Sequence, residues 1–236
     1  MSNVIASLLP LMLASAVLPL WIIMVLILLR GEGRLVHATA FVGGAITVRV
    51  LQFVLFSRVF GAIVAVEGED VFDLIPTTLV LMTGIVLLIT AVNTWWWRVE
   101  EDGDAPPPKW MTLLSKGSAL KAFGIAAVMS TFAIKEWVFT LSAIAIIDEG
   151  SLGKVSSVLA YLVFLVGANS LMLAPIIGTV AAPRRSATMI EATLGWLERN
   201  NRVITAIISL VFGGWFLVRG MTGLVAHGEG VKVPAI

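Results

Sequence analysis

The sequence lacks the residues on which much covalent and metal chemistry depends. None of its 236 residues is a cysteine, and only His37 and His227 are histidines. Without cysteine there can be no disulfides, thiolate metal ligands or thiol relays. No histidine and carboxylate cluster has the spacing of a metal site, and no glycine-rich segment ends in Gly-Lys-Ser/Thr. Because no nucleophile lies beside a base either, we expect neither an enzyme nor a bound cofactor.

Charge is scarce as well. Charged residues make up 13% of the chain, against about a quarter in soluble proteins. The net charge of +1 leaves no concentrated basic footprint, so we expect no nucleic-acid partner. Hydrophobic residues make up 58%, more than a soluble domain of this size could bury. The composition therefore predicts that lipid surrounds most of the chain.

Six apolar segments are each long enough to cross about 30 Å of hydrocarbon as a helix. None alternates as a barrel strand does. The first is too long for a signal-peptide core and lacks a cleavage site, so we expect it to be retained. The sequence predicts an all-α integral membrane protein with six transmembrane helices. Their predicted bounds are Ile5–Leu29, His37–Ile63, Leu74–Trp97, Leu120–Ile147, Val155–Val180 and Val203–Val225.

The loops between these segments alternate in charge. The second loop carries four carboxylates and no lysine or arginine, whereas the first, third and fifth are basic. Since basic residues accumulate in cytoplasmic loops, both termini are predicted to lie outside. The basic residues of those three loops are Arg30 and Arg34; Arg98, Lys109 and Lys116; and Arg184, Arg185, Arg199 and Arg202.

A polar linker predicts two halves. Residues 100–116 hold an acidic run and a triple proline, and such a stretch cannot bury apolar area. Residues 1–99 and 117–236 then contain three spans each. An odd number of spans inverts the second half, so we expect a 3+3 inverted repeat as in many transporters.

An amphipathic segment precedes the last span. Met189, Ile190, Leu194 and Leu197 recur at helical spacing within about residues 185–200. This pattern predicts a short helix that lies on the cytoplasmic interface. An equally good interpretation is a helical connector that packs on the bundle.

Polar side chains within the spans are the candidate substrate site. An ionisable group inside a span is costly unless it is paired, hydrated or turned inward. Arginine binds carboxylate, sulfate or phosphate through its planar fork, and two cations against one carboxylate leave a surplus positive charge. We therefore expect an anionic ligand. The candidate residues are Pro19, Arg49, Gln52, Asn93, Lys135, Glu136, Asn169 and Ser170.

Two alternatives give these residues a structural role only. Arg49 and Glu136 form a buried ion pair that fixes helix register in the first. In the second, Asn169 and Ser170 join helices by hydrogen bonds.

Several short stretches resemble a known family. They are Leu18–Leu20 and Arg30–Gly31 in the first half, and Pro108–Leu114, Ala119–Gly124, Trp196–Asn201, Gly213–Gly214 and Arg219–Gly220 in the second. In these features the chain resembles the sulfolipid-addressing protein family, also called the GAP family, within the LysE superfamily of six-helix exporters. That family usually carries Asn-Pro-Lys in span four. The matching positions here read Ala133–Ile134–Lys135, so only the lysine matches and the helix break is not expected.

The resemblance implies a transporter or exporter in the bacterial cytoplasmic (inner) membrane. Its substrate would be an anionic envelope glycolipid or another lipid-linked molecule. It would act alone, as a homodimer or with larger lipid-export machinery. Three alternatives remain: an accessory subunit of a lipid-export complex, an exporter of small molecules such as amino acids, and a membrane-embedded transferase.

The predicted orientation is tested by single cysteines, which this chain accepts without background because it has none of its own. A cysteine at Glu69, in the acidic second loop, should react with a membrane-impermeant maleimide added outside intact cells. A cysteine at Glu198, in the fifth loop, should react only after lysis. Labelling in the reverse pattern would overturn the orientation.

Overall fold

A computed structural model describes residues 1–31, 33–67, 74–96 and 118–228. The acidic second loop, from residue 68, and the linker at residues 100–116 lie outside these ranges. The predictions made for these two segments therefore fall outside the described residues. Within them every regular element is an α-helix and none is a strand, which confirms the all-α prediction. The described helices are α1 (Ser2–Ala16), α2 (Pro19–Arg30), α3 (Arg34–Glu67), α4 (Leu74–Trp96), α5 (Ala119–Phe132), α6 (Ile134–Glu149), α7 (Lys154–Ala168), α8 (Ser170–Ala181) and α9 (Pro183–Gly228).

The described helices provide between three and six candidate membrane spans. Three are long and apolar enough to cross alone, over Arg34–Phe60, Leu74–Trp96 and Arg185–Val225. The other six form pairs that pass together but are bent, by 57° between α1 and α2, 74° between α5 and α6, and 68° between α7 and α8. Six spans result if each bent pair counts as one.

Of the three breaks among the described residues, one coincides with a proline. Pro19 begins α2 and cannot donate to the preceding turn, and it also keeps Leu18 extended (ψ 109°). The break between α7 and α8 falls at Asn169, whereas Pro175 lies inside α8.

The chain also breaks at Ala133 (ψ 91°), so the expectation of an unbroken helix without Asn-Pro was wrong. Beside this break the Trp137 indole donates to the carbonyl of Thr131 (2.7 Å). That bond supplies a partner for a carbonyl at the end of α5, where helical partners run out.

The breaks divide the apolar interior into two cores. The first core joins α1, α6 and α7 to α4 and to the later turns of α3 and α9, with Leu8, Phe139 and Phe164 fully buried. The second core joins α2, α5 and α8 to the earlier turns of α3 and the start of α9. Each bent pair therefore contributes one helix to each core. Leu18, at the first break, packs against both.

The amphipathic segment forms the first turns of α9. Ile190, Leu194 and Leu197 are buried in the second core, whereas Met189 is exposed. A carboxylate oxygen of Glu191 lies 3.6 Å from a guanidinium nitrogen of Arg30, at the end of α2. These contacts are those of a connector that packs on the bundle.

Helix α9 also joins the end of α4. The Arg202 guanidinium donates to the carbonyls of Thr94 (2.8 Å) and Trp95 (2.9 Å). Together with the contact to Arg30, these bonds hold the end of α2 and the end of α4 against the first half of α9. These are the helix ends next to the first, third and fifth loops, and they lie on one side of the protein.

Glycine permits the close approach of α4 and α9. A Cβ added at Gly220 would lie 2.6 Å from the Cβ and 2.7 Å from the Cα of Leu81, whereas one added at Gly214 would meet no atom within 4 Å. Gly220→Ala should therefore lower the free energy of unfolding by about 1–3 kcal/mol through overpacking. Gly214→Ala is the matched control and should be neutral or stabilising, since alanine favours helix by about 1 kcal/mol. Thermal unfolding in detergent measures both, and equal effects would contradict the packing argument.

Candidate functional site

A buried ion pair joins three spans at the boundary between the two cores. Arg49 lies midway along α3 and is 4% exposed, and Glu136 of α6 is 3% exposed. One guanidinium nitrogen of Arg49 donates both to the Glu136 carboxylate and to the Ser15 hydroxyl (3.0 Å). Ser15 is in the last turn of α1, just before the first break. The arginine therefore bridges α1, α3 and α6.

The break at Ala133 puts Glu136 in reach of this arginine. It starts α6 inside the protein and places Glu136 in the first turn of that helix. A carboxylate is stabilised there because the N-terminal end of a helix carries partial positive charge. Glu136 thus has two sources of stabilisation, the helix end and the guanidinium.

Tyr161 of α7 adds a fourth helix to the site. Its hydroxyl donates to the backbone carbonyl of Arg49 (2.7 Å), and its ring stacks on Phe53 with the centroids 4.1 Å apart. The sequence analysis missed this residue. One signal could have found it, because it is the only tyrosine of the chain and lies within a span instead of at an interface, where tyrosine concentrates.

Several polar atoms beside the ion pair have no hydrogen-bond partner among the described residues. They include the second guanidinium nitrogen of Arg49, the second carboxylate oxygen of Glu136, both amide atoms of Gln52 and the Thr140 hydroxyl. All four residues are at most 4% exposed. Gln52 follows Arg49 by one turn and Thr140 follows Glu136 by one turn, so each pair shares a helix face. Unsatisfied buried polar groups are costly, and these offer both donors and acceptors to a polar ligand.

Asn169 lies at the break between α7 and α8. It is 1% exposed, and its amide nitrogen donates to the carbonyl of Leu165 (2.7 Å). Its side-chain oxygen is unpartnered among the described residues. None of the hydrogen bonds described in those ranges joins it to Arg49 or Glu136.

The remaining predicted residues lie outside this cluster. Asn93 and Ser170 are exposed, and Pro19 begins α2 behind the first break. Lys135 is half-buried and makes no ion pair within the described ranges. The charges of the buried pair therefore balance, and the expected surplus positive charge is not enclosed with it.

An apolar cleft opens between α2, α8 and the first turns of α9, at the second core. Its volume is about 390 Å³, within the range of small-molecule pockets. Leu26, Pro175, Met189 and Trp196 line it, and the hydroxyl-bearing Thr179 and Ser186 are also present. Such a lining suits an apolar chain.

Comparisons with known proteins give one match. The model of a family described as "Sap, sulfolipid-1-addressing protein" matches residues 8–222. No curated protein and no solved structure gives a significant match.

Coupling within the buried pair is measured by a double-mutant cycle. Arg49→Met and Glu136→Gln should each lower the free energy of unfolding by about 3–5 kcal/mol, because each leaves one charge buried alone. The double variant should recover most of that loss. Arg58→Met, at an exposed position of α3, is the control and should change little. Additive losses in detergent unfolding would show that the two charges are not coupled.

Proposed function

The chain belongs to the family of sulfolipid-1-addressing proteins, and from that premise we propose that it is a membrane exporter of an anionic glycolipid or other lipid-linked molecule. The observation that carries the proposal is the Arg49–Glu136 pair at the helix breaks, with unpartnered donors and acceptors around it. A guanidinium is the side chain best shaped to bind sulfate, phosphate or carboxylate. Discontinuous helices at mid-membrane are where transporters place their substrate sites.

The unpartnered atoms distinguish a binding site from a pair that only fixes helix register. A buried ion pair is tolerable when further hydrogen bonds satisfy the rest of its donors and acceptors. Here the second nitrogen of Arg49 and the second oxygen of Glu136 lack such bonds among the described residues. An anionic head group would provide acceptors for Arg49 and for the amide of Gln52.

The pattern of helix contacts supports six spans in two inverted halves. We count each bent pair as one span and exchange spans one, two and three with four, five and six. Spans three and six, which exchange with each other, pack on each other. Span two packs on span four, and the exchanged pair, span five and span one, also packs. Span three packs on span four, and the exchanged pair, span six and span one, also packs. The exchange thus maps these contacts onto one another, as a two-fold axis in the membrane plane would, whereas the packing of span five on span six has no comparable counterpart between spans two and three among the described residues. Spans one and four, which it exchanges, are both bent, although span five is bent and span two is not.

The apolar cleft gives the lipid part of such a substrate a place on the protein. It is lined by α2, α8 and α9, and α2 and α8 both begin at breaks. We place the protein in the bacterial cytoplasmic membrane with both termini outside, so that this cleft lies in the cytoplasmic half. A substrate made in the cytoplasm would meet it there.

Transport in liposomes tests the proposal. The purified protein should move fluorescent sulfatide, a sulfated galactosylceramide, from the outer leaflet to one protected from dithionite. Arg49→Met should abolish this movement because the anion loses its binding group, whereas Arg58→Met should keep it. The Arg49→Met/Glu136→Gln double variant should regain stability but not transport.

Two outcomes would contradict the proposal in different ways. Wild-type rates in the double variant would show that the pair fixes helix register only, and would leave Lys135 as the candidate cation. A stable wild-type protein that moves no sulfatide without partners would favour an accessory subunit of a larger export complex.

A further inference from the structure

The helices packed around Glu136 offer it no second partner of opposite charge within the described residues. α1 and α4 carry no ionisable side chain, and the one ionisable residue of α5, Lys121, lies in its first turn. The other arginines of α3 lie at its first residue or at an exposed position. On α7, Lys154 is at the far end, and Tyr161 reaches the backbone of Arg49. The charge balance of Glu136 therefore depends on the guanidinium on α3.

The adjacent Lys135 is the other cation near this level. It is half-buried, and it makes no ion pair in the described part of the chain. An anion bound at the second guanidinium nitrogen of Arg49 would meet a carboxylate that the first nitrogen already holds. Two negative charges against one positive charge are costly in a low-dielectric site, unless one of them is neutralised.

We propose that Glu136 binds a proton whenever an anionic group binds Arg49; this inference rests on the transport function proposed above. The anion replaces the carboxylate on the guanidinium, and the released carboxylate forms an O–H bond with one proton taken from water. The Thr140 hydroxyl, one turn further along α6 and unpartnered among the described residues, is placed to accept a hydrogen bond from that acid. Release of the anion reverses both steps.

Charge balance then sets how many protons travel with each anion. The empty site contains one positive and one negative charge, and the loaded site contains the guanidinium, the anion and a neutral acid. Both states have zero net charge. Each singly charged anion should therefore travel with one proton in the same direction, and the cycle should move no net charge.

The test uses proteoliposomes of the full-length protein that contain the pH dye pyranine. Fluorescent sulfatide is added outside, and its inward movement and the luminal pH are recorded together. We expect one proton to enter per sulfatide, with a rate that an inside-negative potassium–valinomycin potential does not change. Sulfatide suits this purpose because its sulfate monoester stays ionised and carries no proton itself. Protein-free liposomes give the background.

Glu136→Gln removes the titrating group and provides the decisive variant. Sulfatide that still moves should no longer acidify the lumen, and its entry should slow under the inside-negative potential. Glu149→Gln, the same change at the exposed end of α6, should keep one proton per sulfatide, as should Glu136→Asp.

Some results would overturn the coupling and leave the transport proposal intact. Sulfatide movement by the wild-type protein without acidification, or slowed by the potential, would do so and would point to Lys135 as the balancing charge. This measurement stands even if Glu136→Gln fails to fold. Absence of any sulfatide movement would instead contradict the transport proposal.

Discussion

The cost of holding the Arg49 charge among apolar helices is the constraint on which this fold depends. Only 4% of the residue is exposed, so its guanidinium needs a counter-charge at the same depth. Glu136 supplies it because α5 ends at Phe132 and α6 starts immediately afterwards. Ser15 supplies a hydroxyl from the last turn of α1. Satisfying one arginine therefore fixes where α1 and α5 end relative to α3.

The division into two cores follows from the same breaks. Because each bent pair sends one helix into each core, the breaks lie at the boundary between the cores. Polar side chains there can bond to backbone N–H and C=O groups, which a continuous helix would pair with each other. The boundary therefore concentrates the buried charged and amide groups, whereas the buried polar groups away from it are hydroxyls, such as those of Thr83 and Ser142. A polar ligand has one level at which this protein can hold it without disturbing the packing above or below.

Sequence reasoning predicted the helical class and the apolar segments well, because length and hydropathy alone identify a candidate membrane span. It was wrong at the second break, where Ala133 has neither proline nor glycine beside it. The third break falls at Asn169, six residues before Pro175, which lies inside α8. The reason is that tertiary partners decide where a helix stops. Of the predicted site residues, Arg49, Gln52 and Glu136 lie together in the structure. A polar residue in a span does not reveal which way it points, and Asn93 and Ser170, which the sequence grouped with them, are exposed. Tyr161 stands out in the sequence as the only tyrosine, but its bond to a backbone carbonyl is encoded by no residue pattern.

The geometry also gives the reason for proposing an anion, and not a cation, as the ligand of this site. Glu136 is in the first turn of α6, and a helix leaves its first N–H groups without helical partners, directed at whatever lies ahead of it. The guanidinium on α3 reaches the same turn. A cation at this point would be repelled by the positive helix end and by the arginine. The only group that could attract it is a carboxylate already paired with that arginine. An anion meets two positive features and one displaceable competitor. Because the break at Ala133 creates that helix end, it gives Arg49 its counter-charge and also makes the counter-charge replaceable.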